Sequence, residues 1–157
     1  MRSSDGAGQR SQSAHLGRAG RRAWTVLIVD PDADGARRLA AALAPNIIAI
    51  VGSARAAFDA IQVRMPDLIV TELDLPDMPG VEFIARIHAA PATHNVLLLV
   101  ATRRTAVRDK IAAFQAGADD YLVKPLSLEQ FVAHARLVSR FLQVIGREPP
   151  ALPPPRQ

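Results

Sequence analysis

The chain has 157 residues, of which 49% are hydrophobic and 22% charged, and it carries a formal net charge of +4 without any cysteine. This length and composition predict one folded domain with tails. The lack of cysteine excludes disulfides and thiolate chemistry, and no apolar run approaches the ~18 residues that span a bilayer. We therefore expect a soluble, cytoplasmic protein that does not contact membranes.

The excess positive charge lies in residues 1–22, which hold five arginines against one aspartate. This Gly/Ser/Arg-rich composition predicts a disordered basic tail. It is also compatible with a transit peptide, or with an arm that binds nucleic acid non-specifically. The predicted folded domain spans residues 23–146, and a Pro-rich tail follows at residues 147–157.

Five short, almost continuously apolar runs alternate with five segments of helical periodicity. The runs are TVLIVD (25–30), IIAIV (47–51), DLIVTE (67–72), VLLLVAT (96–102) and DYLV (120–123). Such runs predict strands that are buried on both faces, as in a parallel sheet. The helical segments lie at 33–44, 53–64, 80–89, 105–118 and 127–146. With right-handed crossovers, this alternation predicts an α/β fold with a doubly wound five-stranded parallel sheet and five helices.

Polar side chains stand at or just past the carboxyl ends of four predicted strands. They are Asp30, Glu72, Thr102 and, after the fifth strand, Lys124 followed by Pro125. Because these strand ends meet at one edge of a doubly wound sheet, we expect a site there. The sequence after the first strand, VDPDADG, lacks the glycine-rich loop of a nucleotide site. The sequence also shows no nucleophile–base pair of the kind that indicates an enzyme.

With these residues, the chain resembles the receiver domain of two-component response regulators over about 24–145. The motifs that carry the resemblance are VLIVD (26–30), DLIVTELDLPDMPG (67–80) and AGADDYLVKP (116–125). The resemblance implies the flavodoxin-like receiver fold, phosphorelay signal transduction and a histidine kinase as partner. It also implies a phosphoacceptor position at Glu72, phosphoryl-binding roles for Thr102 and Lys124, and a switch aromatic at Tyr121 that rotates inward on activation.

Three positions depart from the family pattern. Members usually carry two adjacent acids after the first strand, but here Asp30 is followed by Pro31, and Asp32 is expected to cap the first helix. The acceptor position holds Glu72 where the chemistry needs an aspartate. Arg103 occupies a position that is usually small, and we expect its guanidinium to pair with Glu72 or Asp30.

These departures predict a pseudo-receiver that acts without phosphorylation and without a cofactor, with at most a weak Mg²⁺ site at Asp30. We interpret Glu72 as a built-in surrogate for a phosphorylated aspartate, bound by Lys124 and Thr102. The rival interpretation is a static ion pair that fills the pocket. Two other functions stay open: a phosphorylatable receiver that uses Asp74 or Glu72, and a DNA-associated regulator that uses the basic tail.

The last predicted helix is apolar on two sides, which indicates two neighbours. One stripe is expected to face the sheet, and Leu137, Phe141 and Val144 form a second strip. This second strip predicts contact with a signalling partner or a second copy, or else cover for the edge of the domain's own core. We expect partners to bind the face formed by the fourth helix, the fifth strand and the fifth helix.

Overall fold

The computed structural model describes residues 23–44 and 46–144, and for residues 139 and 141–144 the description is limited to the backbone. The predicted tails at 1–22 and 147–157, and the end of the predicted domain at 145–146, lie outside these residues. Those predictions therefore stay predictions. No helix in the described part of the chain is long and apolar enough to cross a lipid bilayer.

Within the described residues, five strands alternate with five helices. The strands are β1 (Thr25–Val29), β2 (Ile47–Val51), β3 (Leu68–Thr71), β4 (Leu97–Thr102) and β5 (Asp120–Val123). The helices are α1 (Ala33–Ala42), α2 (Ala54–Val63), α3 (Gly80–Ala89), α4 (Val107–Ala116) and α5 (Leu128–Val144). The strands pair in parallel in the order β2-β1-β3-β4-β5. The predicted doubly wound five-stranded α/β fold is confirmed.

Each face of the sheet has its own hydrophobic cluster, because successive strand side chains point in opposite directions. Along β1, Val26 and Ile28 pack in the cluster that includes Phe131 of α5 and residues of α1. Leu27 and Val29 pack in the cluster that the helices α2, α3 and α4 cover. The sheet is thus the middle layer of three, and its strand ends form two rims.

The prediction that every strand is buried on both faces is wrong for β2. This strand forms one edge of the sheet, beside β1, and its Ile47 and Ile50 are 46% and 38% exposed. An apolar run predicts a strand of a parallel sheet, but it does not distinguish an edge strand from a central one.

Polar caps fix where α1 and α5 begin. Asp32 is the N-cap of α1 and accepts a hydrogen bond from the Gly35 N–H at 3.2 Å, which is the capping role expected from the sequence. Ser127 precedes α5, and its hydroxyl accepts from the Gln130 N–H at 3.0 Å. Because each cap satisfies an N–H that lacks a partner within the helix, α1 and α5 start at defined positions beside the carboxyl-end rim.

The loop between β3 and α3 is held by Asp77. Its carboxylate accepts hydrogen bonds from the backbone N–H groups of Ala54 (3.0 Å) and Arg55 (2.8 Å) at the start of α2. The bond from Arg55, supported by that from Ala54, lowers the pKa of Asp77. A carboxylate at a helix N-terminus is favourable because it meets unpaired N–H groups and the positive end of the helix dipole. The loop is therefore tied to a neighbouring helix.

Gly80 closes the same loop by a close backbone approach. Its N–H donates to the Leu73 carbonyl at 2.8 Å. A Cβ at position 80 would lie 2.5 Å from the Leu73 Cα. Backbone atoms cannot swing aside as the end of a flexible side chain can, so any residue larger than glycine forces the loop open.

We expect Gly80→Ala to lower the free energy of unfolding by about 1–3 kcal/mol, because the added methyl group overpacks the loop. Gly52→Ala is the matched control, since its Cβ would meet nothing closer than the Pro31 Cα at 3.9 Å. That variant should stay within about 0.5 kcal/mol of the wild type. Urea unfolding followed by circular dichroism measures both, and equal midpoints for the two variants would contradict the close approach.

Candidate functional site

The carboxyl ends of β1, β3, β4 and β5 meet at one rim of the sheet. Backbone hydrogen bonds continue the pairing just past the strands: Glu72 N–H donates to the Val29 carbonyl at 2.9 Å, and Lys124 N–H to the Thr102 carbonyl at 2.8 Å. These bonds extend the pairing of the sheet to the residues that follow the strands. The rim lies at the point where the strand order reverses around β1 and β3, which is where doubly wound sheets bind ligands.

The centre of the rim is one lysine shared by two carboxylates. The Lys124 Nζ lies 2.6 Å from Asp30 Oδ2 and 3.0 Å from Glu72 Oε2. The three side chains are 15%, 6% and 10% exposed for Lys124, Asp30 and Glu72 respectively. Charge-assisted hydrogen bonds of this kind are stronger than neutral ones, and little water screens them here.

The charge of Lys124 is stable across neutral pH. Burial opposes the charged form, but the hydrogen bonds to Asp30 and Glu72 outweigh burial and raise the pKa of Lys124 above its usual value. A group whose folded pKa is raised stabilises the fold fully below its unfolded pKa, and this contribution is lost only as the pH rises through the folded value. The two ion pairs therefore persist until strongly alkaline pH.

The second oxygen of Glu72 turns back onto its own loop. Oε1 accepts from the backbone N–H of Leu73 at 2.7 Å and from that of Asp74 at 3.3 Å. Thr102 is completely buried, and its hydroxyl oxygen accepts from the Arg104 N–H at 3.4 Å. Among the described residues no hydrogen bond joins Thr102 to Glu72, so of the two residues expected to bind the glutamate, Lys124 does and Thr102 does not.

Arg103 does not make the expected ion pair with Glu72 or Asp30. Its side chain is exposed, and within the described part of the chain both acids are bonded by Lys124. Lys124 reaches both carboxylates from the end of β5, across the intervening β4, whereas the loop after β4 leaves Arg103 outside the rim. There it lines a cavity of about 380 Å³ that Lys124 and Pro125 also border.

The next residue, Arg104, makes the ion pair that the sequence did not reveal. Its Nε lies 3.0 Å from Asp74 Oδ1 and 3.2 Å from Oδ2, and a second guanidinium nitrogen also binds the carboxylate. Asp109 lies farther away, at 3.7 Å. The hydrogen bond from Arg104 lowers the pKa of Asp74. Asp74 is thus held on the outer side of the β3–α3 loop, away from the Asp30–Glu72–Lys124 cluster.

The side chain of Tyr121 is in an inward position and contacts Arg104. It is 9% exposed, and its hydroxyl donates to the backbone carbonyl of Arg104 at 2.8 Å. Its ring packs near Phe114 of α4, with ring centroids 6.4 Å apart. Burial is the main cause that raises the pKa of Tyr121, so the hydroxyl keeps the proton that it donates.

Few oxygen atoms at the rim are free for a metal ion. Asp30 accepts from the Asp32 N–H at 2.8 Å in addition to binding Lys124. Pro31 has no side-chain oxygen, and Asp32 is occupied as the cap of α1, where the Gly35 N–H lowers its pKa. Across residues 23–44 and 46–144, no group of three or more His, Cys, Asp or Glu residues is placed to hold a metal ion.

An exposed apolar strip runs along one face of α4. Val107, Ile111 and Phe114 are 69%, 51% and 47% exposed, and Leu137 on α5 is 66% exposed. Of the strip predicted on α5, Leu137 is exposed, whereas the side chains of Phe141 and Val144 lie outside the description. The sequence reading missed the α4 strip, although its spacing of i, i+4 and i+7 is the signal of one helix face.

Comparison with known proteins agrees with this architecture. Residues 26–136 match the family model described as response regulator receiver domain. Among solved structures, a two-component response regulator from Clostridium difficile is 28% identical with a TM-score of 0.70, and the match covers 74% of this chain and 96% of that chain.

The chain matches curated relatives over only part of their length. The transcriptional regulatory protein BasR of Escherichia coli (strain K12) is 43% identical over 90 residues, which is 57% of this chain and 40% of BasR. The transcriptional regulatory protein PrrA of Mycobacterium tuberculosis (strain ATCC 25618 / H37Rv) is 35% identical over 118 residues, 73% of this chain and 49% of PrrA. The chain thus spans half or less of the length of these two relatives.

We expect Lys124→Met to lower the free energy of unfolding by about 3 kcal/mol at neutral pH, because it leaves two buried carboxylates without their cation. Adding Asp30→Asn removes one of those charges and should recover part of the loss, which a double-mutant cycle measures.

The matched control is Lys110→Met. Lys110 Nζ lies 5.9 Å from the centre of the Tyr121 ring, a contact worth about 1 kcal/mol or less. If Lys124→Met and Lys110→Met cost the same in urea denaturation, the shared lysine does not stabilise the rim.

Proposed function

The chain belongs to the response regulator receiver domain family, the receivers of two-component signalling, and from this membership we propose that it works as a receiver that needs no phosphorylation. In this proposal Glu72 stands in for the phosphorylated aspartate, and the α4–β5–α5 face binds a protein partner. The observation that carries the proposal is the bond from Lys124 to Glu72 at 3.0 Å, together with the inward position of Tyr121.

The chemistry of Glu72 suits a partial surrogate. A glutamate is one methylene longer than an aspartate, so its carboxylate reaches beyond the point where an aspartate would end. Its two oxygens are bonded to Lys124 on one side and to the Leu73 and Asp74 N–H groups on the other. A phosphoryl group has nearly two negative charges and three terminal oxygens, whereas the glutamate has one charge and two oxygens. Thr102, which Glu72 does not engage, marks the part of the mimicry that is missing.

A chain of contacts links Glu72 to the proposed docking face. Glu72 accepts from the Asp74 N–H, the Asp74 carboxylate binds Arg104, and the Arg104 carbonyl accepts from Tyr121. Tyr121 in turn packs near Phe114 of the exposed α4 strip. We infer that Glu72 favours the inward Tyr121 by ordering this loop, and that the partner recognises the resulting α4–β5–α5 surface.

Three features argue against ordinary phosphotransfer to this rim. Both of its carboxylates are bonded to Lys124, and Pro31 contributes no side-chain oxygen, so the donor set does not fit the Mg²⁺ that receivers of this family use. Glu72 displaces the attacking oxygen from the position of an aspartate, and an error near 1 Å can cost about 100-fold in rate. Asp74, the alternative acceptor, is held by Arg104.

The proposed partner is a signalling protein or a second copy of the chain. The exposed side chains of Val107, Ile111 and Phe114 form an apolar strip on α4 of the kind that marks protein–protein contacts, and Leu137 on α5 is exposed as well. Lys110 and Arg108 lie on the same helix, so a partner with an apolar centre and an acidic rim fits this surface best.

We expect Glu72→Gln to change the surroundings of Tyr121, since the loss of charge weakens the bond to Lys124 and releases the loop. The chain has a single tyrosine, so ¹³C-labelled tyrosine gives one set of ring signals that NMR can follow. Glu82→Gln is the control, because Glu82 is an exposed acid of α3 that binds Arg86. Ring signals that stay unchanged in Glu72→Gln would mean that the glutamate only fills the pocket.

We also expect acetyl phosphate with Mg²⁺ to leave the intact mass of the chain unchanged. Glu72→Asp alone should stay unmodified, because Pro31 and Arg103 remain. The triple variant Glu72→Asp, Pro31→Asp, Arg103→Ala restores acceptor, metal ligand and access, and serves as the positive control. A stable phosphoryl adduct on Glu72 or Asp74 of the wild-type chain would overturn the proposal.

A further inference from the structure

A second site candidate lies beside the rim, between the start of α1 and the start of α5. It is the cavity of about 380 Å³ that Arg103 lines. Its charged lining consists of Asp32, Arg38, Arg103 and Lys124, and its apolar lining of Leu39, Pro125, Leu126 and Leu128. We propose that this cavity binds a small organic anion, a carboxylate or phosphate group carried on an apolar body.

The cations decide the charge of the ligand. Arg38 and Arg103 are both exposed, and neither forms an ion pair within the described residues. Their guanidinium groups therefore keep their N–H donors for an oxyanion, which they bind in a fork geometry. Asp32 is the acid of the wall; its carboxylate caps α1 through Gly35, and that bond, with smaller contributions from the charges of Lys124 and Arg38, lowers its pKa. One negative charge thus offsets part of the positive charge of Arg38, Arg103 and Lys124.

The apolar side of the cavity decides the rest of the ligand. Leu39 is buried, at 6% exposure, and forms part of the floor, while Leu128 is 43% exposed at the mouth. A bare inorganic ion would leave this surface in water, whereas a ring or a short chain would cover it. The volume lies within the range of about 300–1,000 Å³ that is usual for small-molecule sites.

Lys124 joins this cavity to the rim. Its ammonium binds Asp30 and Glu72, and its side chain also borders the cavity. An anion that reaches Lys124 competes with Glu72 for the same ammonium. The binding itself does not depend on the proposed role of Glu72, so the two proposals can fail separately.

The test uses phenyl phosphate, titrated into the full-length ¹⁵N-labelled chain. We expect saturable shifts of the amide signals of Gly35 and Leu126, which both line the cavity. Arg38→Ala and Arg103→Ala should each weaken binding about tenfold, because each removes a charge-assisted hydrogen bond. Arg108→Ala is the matched control, since Arg108 is an exposed arginine of α4 outside the cavity, and it should bind like the wild type.

Further probes separate the two halves of the ligand. Inorganic phosphate should bind more weakly than phenyl phosphate. Leu128→Ser should remove that difference, and because Leu128 is 43% exposed, the substitution should leave the protein folded. Benzoate set against phenyl phosphate assigns the head group to a carboxylate or a phosphate. Shifts that do not saturate, equal affinity in the Arg38→Ala and Arg103→Ala variants, or equally tight binding of the cation benzylamine would each overturn the proposal.

Discussion

The shared ammonium of Lys124 is the interaction on which the rest of the rim depends. It connects the ends of three strands, β1 through Asp30, β3 through Glu72 and β5 through its own backbone. Two buried carboxylates close enough to share one ammonium would repel each other strongly without that cation. The sequence positions of Asp30 and Glu72 are therefore compatible only because a lysine follows β5, and each of the three side chains limits what the other two can do.

The β3–α3 loop, which begins at Glu72, is the next part of the rim that is held in place. That loop is fixed by Gly80 against Leu73, by Asp77 at the start of α2, and by Arg104 through Asp74. A loop held at three points transmits a change at Glu72 more directly than a flexible loop, because few other movements are open to it. Arg104 connects this loop to Tyr121, since its side chain binds Asp74 of the loop and its carbonyl accepts from the Tyr121 hydroxyl.

The sequence predicted the fold better than the contacts at the site, and the reason is physical. Alternating periodicities determine an α/β sandwich, and parallel strands put their carboxyl ends at one rim, so Asp30, Glu72 and Lys124 were foreseen as neighbours. Which arginine reaches an acid depends on the path of the loop after β4, which no periodicity encodes. Arg103 and Arg104 are adjacent in sequence, yet one lines a cavity and the other binds Asp74, 30 residues away.

The distribution of charge around Lys124 connects the proposed function with the proposed anion site. On the inner side, one lysine faces two carboxylates, which leaves an excess negative charge in a place with little water. On the outer side, Arg38 and Arg103 face the single acid Asp32, which leaves an excess positive charge at the cavity. An anion held by the two arginines would lower the positive potential near Lys124 and draw its ammonium away from Glu72. Taken together, the two proposals make occupancy of this cavity the variable input of a receiver that needs no phosphorylation.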